Sequence, residues 1–87
     1  MAGFWEELAD QLDLPGDAAA GQVRVTMIGT ARVLVENHRG LLAYGENAVE
    51  IRRTGGLLRI RGDGLLLKAM DREAILVAGT IFGVDME

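Results

Sequence analysis

The sequence predicts an all-β domain behind one short N-terminal helix, and three observations carry that prediction. From Val23 onward apolar residues alternate with polar ones: Val23, Val25 and Met27 with Arg24 and Thr26; Val49 and Ile51 with Glu50 and Arg52; Leu58 and Ile60 with Arg59 and Arg61. A period of two belongs to strands, whose successive side chains point to opposite faces. Glycine is abundant, at 12 of 87 residues against a single proline, and supplies many tight turns. Turn signals stand at Gly29, Asn37 to Gly40, Gly45 to Asn47, Gly55-Gly56, Asp63-Gly64 and Gly79, at the short spacing of an antiparallel meander, sandwich or barrel.

The elements follow in order. Phe4, Leu8 and Leu12, flanked by Trp5, form the stripe of an amphipathic helix near Phe4 to Leu14, which Pro15 and Gly16 stop. A helix of about 11 residues is marginal alone in water, so this stripe needs a surface to cover. Ala18, Ala19, Ala20 and Gly21 read as a linker, so residues 1–22 make helix and linker and residues 23–87 make the β-domain.

Two hairpins can be set in register. With Gly55-Gly56 as a two-residue loop, Ile51 faces Ile60, Glu50 faces Arg61 and Arg52 faces Arg59. With Asp63-Gly64 as a type I′ loop, Ile60 faces Leu67 and Arg59 faces Lys68. Both registers put the aliphatic residues on one face. A third hairpin turns at Asn37 to Gly40, with Val33, Val35, Leu42 and Tyr44 on one face and Leu34, Leu41 and Ala43 on the other, so that both faces want cover. The buried set is expected to be Val25, Met27, Val33, Val35, Val49, Ile51, Leu58, Ile60, Leu67, Ile75 and Val77. A faint repeat of apolar, any, apolar, any, Gly begins at Val25, Leu41, Leu58 and Ile75, at spacings of 16, 17 and 17. It leaves a short β-solenoid as the alternative architecture.

Composition bounds the function. The chain is 49% hydrophobic with only four aromatic residues, so the core is aliphatic and disorder is excluded. It has no cysteine and one histidine, which argues against a disulfide framework, a thiolate nucleophile or a metal site, and no cofactor is expected. Residues 1–20 hold five acids and no base; the remainder holds nine bases, eight of them arginine, against eight acids. No apolar run is long enough to cross a membrane and no signal peptide is evident, so a cytoplasmic chain is expected.

Few residues offer chemistry. There is no serine, so a Ser-His-Asp triad cannot form, and His38 in its turn reads as a loop residue. Gly62-Asp63-Gly64 lacks the Gly-Lys-Ser/Thr of a phosphate loop, and the acids Asp63, Asp71, Glu73, Asp85 and Glu87 lack calcium-loop spacing. Arg52, Arg59, Arg61 and Lys68 share one outward face in the registers above, with Arg52, Arg59 and Lys68 in line across three strands. Like charges placed opposite one another destabilise a sheet, so these four either splay into water or meet an acidic group: the N-terminal acids, a partner protein, or phosphates. With the second apolar face at Leu34 and Leu41, they are the candidate partner-binding residues.

The residues also resemble a known family. Asp13-Leu14-Pro15, Arg24 to Gly29, Glu36-Asn37-His38-Arg39-Gly40, then Leu58, Ile60, Gly62, Leu65, Leu67 and Lys68, and last Glu73, Ile75, Val77, Gly79 and Ile81, are similar to the YabP/YqfC family of sporulation proteins, on its YqfC side. The most specific part is the turn Glu36, Asn37, His38, Arg39, Gly40. The resemblance implies a non-enzymatic mother-cell factor of endospore formers, near the engulfing membrane. It also implies a protein partner, a YqfD-like membrane protein, and no catalytic residues; self-association stays open. The alternative reading is an Sm-like nucleic-acid-binding module, which the net charge of −4 and the lack of interleaved aromatics disfavour.

Overall fold

The structure, a computed structural model, describes residues 21–87. The expected helix near Phe4 to Leu14 lies outside the described residues. The described residues form six strands: β1 Arg24–Ile28, β2 Arg32–Glu36, β3 Leu41–Tyr44, β4 Ala48–Arg53, β5 Gly56–Met70 and β6 Ala74–Met86. They make one sheet in the order β1-β2-β6-β5-β4-β3, antiparallel at every pairing. The run from β3 to β6 is a meander, and the β1-β2 hairpin joins its far side against β6. β1 and β3 do not pair with each other, so the sheet stays open. A solenoid, which stacks parallel strands, is excluded by the same ladders.

The β5-β6 hairpin is the spine. A straight strand of the length of β5 would span about 50 Å at ~3.3 Å per residue, yet the longest principal extent of the described fold is 31 Å. The strand therefore bends; its pairing with β6 shifts at three places, Arg61/Gly62, Asp63/Leu66 and Leu67/Ala69, of which the middle one skips two residues. Asp63-Gly64 is thus a bulge inside β5 and not the expected hairpin loop; Gly64 takes the left-handed φ of 61° there. Ile60 faces Val84 and Leu67 faces Val77, so neither faces the other. Gly79 is likewise no turn but the β6 side of the bend. It has a φ of 137°, and a Cβ placed on it would lie 2.8 Å from the Gly64 carbonyl oxygen. The strands approach this closely because Gly79 carries no side chain, whereas Gly64 serves through its left-handed backbone.

The hairpin actually turns at residues 71–73, where the Asp71 carboxylate accepts hydrogen bonds from the N–H groups of Glu73 and Ala74, both at 2.8 Å. This is the side-chain mimic of a backbone turn that Asp favours.

The bend rolls the sheet, so that its two halves share one core. Val33 and Val35 of β2, Val49 and Ile51 of β4, Leu58, Ile60 and Leu65 of β5, and Ile75, Val77 and Ile81 of β6 form a single buried cluster. Most of the expected core is there. Val25 and Leu67 are half-buried, and Met27 is exposed because β1 is an edge strand with a neighbour on one side. Leu65 joins the core because the bulge shifts the inward phase of β5, and Ile81 because it continues the inward alternation of Ile75 and Val77 along β6.

Two further registers differ from expectation. Between β4 and β5 the loop is Thr54-Gly55, with Gly55 at φ 92°, so Ile51 faces Leu58, Glu50 faces Arg59 and Arg52 faces Leu57. The pairing has slipped by two residues, which keeps every side chain on its face and changes only its neighbour. The segment Asn37 to Gly40 closes no hairpin: β2 pairs with β1 and β6, and β3 pairs with β4. It carries the chain from one half of the roll to the other. Leu34 consequently packs with Ala74 and Leu76 on the opposite face of β2 and β6, Leu41 packs against the main core, and Ala43 is exposed.

Candidate functional site

The outer face of β4, β5 and β6 is built from the residues whose neighbours are core. Ile51, Leu58 and Ile60 point inward, so Glu50, Arg59 and Arg61 point out, and the register sets Glu50, Arg59 and Asp85 in one row across three strands. Arg59 meets Glu50 at 2.6 Å and Glu87 at 3.2 Å, and Arg61 meets Asp85 at 2.6 Å. Arg61 lies across Gly83, where a side chain would obstruct it. The bond to Glu50, then the charge of Glu87, raises the Arg59 pKa above its ordinary value. The arginines thus meet acids of their own sheet, and the like-charge row of Arg52, Arg59 and Lys68 does not exist. Arg52 stands exposed beside this network, while Lys68 sits beyond the bulge on the other half of β5. Leu34 is buried and Leu41 half-buried, so both serve packing.

Glu36 to Gly40 is a second site, and its chemistry is structural. Asn37 adopts a φ of 64° and Gly40 a φ of 123°, left-handed conformations that Asn and Gly tolerate best. Hydrogen bonds tie the segment to three parts of the fold. The Asn37 N–H donates to the Glu73 carbonyl at 2.6 Å, the Arg39 N–H to the Arg52 carbonyl at 2.8 Å, and the Asn37 side-chain amide to the Gln22 carbonyl at 2.7 Å. His38 completes the clamp. Its Nδ1 accepts the Gly40 N–H at 2.9 Å, which places the proton on Nε2, and Nε2 donates to the Asp71 carbonyl at 2.9 Å. The neutral imidazole therefore links the crossover to the β5-β6 turn. Nothing in the sequence pairs positions 38 and 71; only the roll of the sheet does.

The charged network is legible in the sequence only in part. The acids Glu50, Asp85 and Glu87 are legible as exposed charges, but their role as arginine partners depends on register. Among the described residues no group of three or more His, Cys, Asp or Glu is arranged to hold a metal ion, and no helix is long and apolar enough to cross a membrane.

These features define a class first: a small, open-sheet all-β domain whose most distinctive motif is a histidine-clamped crossover. The chain belongs to the YabP family, whose model matches residues 19–87, a range that contains the whole described sheet and the clamp. It is 39% identical over 74 residues to the uncharacterized protein YqfC of Bacillus subtilis (strain 168), covering 85% of this chain and 80% of that protein. No solved structure matches it.

Proposed function

We propose that this chain is a non-enzymatic sporulation protein, a small mother-cell factor that binds or scaffolds a membrane-protein partner from the cytoplasmic side during spore development. The observation that carries the reading is membership of the YabP family over all the described residues. The surface is compatible with it: Leu66, Phe82 and Met70 are each more than half exposed, a supply of apolar contact for a protein partner. The alternative of a nucleic-acid module is weakened because Arg59 and Arg61 already have carboxylate partners and are not free for phosphate.

The test is cross-linked capture of the tagged full chain from sporulating cells, with identification of what is bound. Recovery of an integral membrane protein supports the reading, and recovery of RNA alone overturns it. If the charged face docks an acidic partner, Arg52→Gln slows association and flattens its salt dependence, since steering charges act on the encounter rate.

A further inference from the structure

Several stretches of this sheet have an open side, and all but one carry a charge. β1 has Arg24, the stretch of β5 beyond the bulge has Lys68, and the end of β6 has Asp85. β3, Leu41–Tyr44, has neither a charge nor a proline. Native sheets commonly protect their edges with such residues, because an unprotected edge pairs with another strand. β3 is also accessible. Leu42 is 41% exposed and Tyr44 49% exposed. The Tyr44 hydroxyl donates to the Leu65 carbonyl at 3.4 Å and accepts the Leu67 N–H at 3.2 Å, which holds the ring in place across β5.

We propose that β3 is a self-association edge, at which two copies of this chain pair β3 with β3 antiparallel about a two-fold axis. The flanking charges select a second copy. Exposed Arg39 precedes the strand and exposed Glu46 follows it. Antiparallel pairing brings Arg39 of each copy to Glu46 of the other, whereas parallel pairing would set like on like. The faces agree as well. Leu41 and Tyr44 oppose the inward residues Ile51 and Val49, Ala43 opposes the outward Glu50, and Leu42 is the extra residue at the register shift. Read in either direction, β3 therefore has an inner-face residue at each end. Two copies can set Leu41 against Tyr44 and Leu42 against Ala43, with the exposed side chain of Arg39 next to that of Glu46, which projects from the β3-β4 turn at the end of the partner strand. Such an isologous contact buries the same patch on both partners and closes as a dimer. So short an overlap predicts weak association, with a Kd of roughly 10 µM to 1 mM.

The test is sedimentation equilibrium of the purified full chain up to about 1 mM. A monomer-dimer equilibrium is expected. Leu42→Lys should weaken it by about tenfold or more, since it places a charge on the unprotected edge and sets the lysines of the two copies diagonally across the two-fold axis. Arg39→Glu and Glu46→Arg should each weaken it, and the double exchange should restore it. Circular dichroism and the urea midpoint confirm that each variant is folded; because Arg39 also donates to Thr54, Glu46→Arg is the cleaner single change. A monomer throughout the range, a dimer indifferent to Leu42→Lys, or a double exchange no better than the single changes would overturn the proposal. So would a monomer that takes up an unrelated extended peptide at Leu42, which would give the edge to a different partner.

Discussion

His38 and Asp71 hold the crossover together from two sides, and each makes a separate prediction. His38→Ala removes two hydrogen bonds and leaves the Gly40 N–H and the Asp71 carbonyl without that partner. At a net value near 1 kcal/mol per bond, it should cost about 1–3 kcal/mol in urea denaturation. A loss within about 0.5 kcal/mol would mean that the backbone bonds of the crossover suffice. Asp71 concerns pH. The N–H groups of Glu73 and Ala74 stabilise its carboxylate and lower its pKa. A depressed carboxylate stabilises the fold above its unfolded pKa of about 3.9, and that contribution is lost as the pH falls through the lower folded value. Asp71→Asn keeps an acceptor for the turn but cannot titrate. Its urea midpoint should therefore fall less than that of the wild type when the pH is taken from about 5 to about 2. Parallel curves for the two proteins would remove Asp71 from the acid response.

At the scale of elements, the bend in the β5-β6 hairpin is the feature on which the roll depends. Gly79→Ala adds a Cβ in a strained conformation, against the Gly64 carbonyl, 2.8 Å away, and the Leu65 backbone. It should cost more than about 1 kcal/mol, beyond the ordinary range for glycine replacement. Ile60→Ala tests the core beside the bend. Ile60 is fully buried, so truncation should cost on the order of 2–5 kcal/mol in the same urea assay. A strand that accepted Gly79→Ala without loss would not be bent there. The outer face behaves differently, because its ion pairs lie in water and contribute little to stability.

At the scale of the whole described sheet, unfolding should be a single cooperative transition, since both halves of the roll contribute to one main core. The sheet's pairing is also remote in sequence. Arg32 opposes Ala78, 46 positions later, and this ladder forms only after the meander has brought β6 into place. Loop closure comes before such contacts are rewarded, so folding should take milliseconds to seconds, measured by stopped-flow fluorescence of Trp5 and Tyr44 or by far-ultraviolet circular dichroism. Complete folding within microseconds would show that local hairpins carry most of the stability.

Taken alone, the sequence determines the all-β class, the inward side of most strands and the aliphatic core, because period-two alternation reports directly which face meets water. Val33, Val35, Val49, Ile51, Leu58, Ile60, Ile75 and Val77 are legible for that reason. The clamp was legible as a motif, in Glu36 to Gly40, but not as a clamp. Tertiary structure decides the rest. A slip of two residues between β4 and β5 leaves every face unchanged, so alternation cannot tell whether Arg59 meets Arg52 or Glu50. Gly64 adopts the same left-handed backbone in a hairpin loop or in a bulge, so Asp63-Gly64 cannot say whether the chain turns back or bends and continues. Those choices are made by contacts between distant strands, the β2-β6 ladder and the shared core, and a local pattern carries no information about which distant strand will supply them.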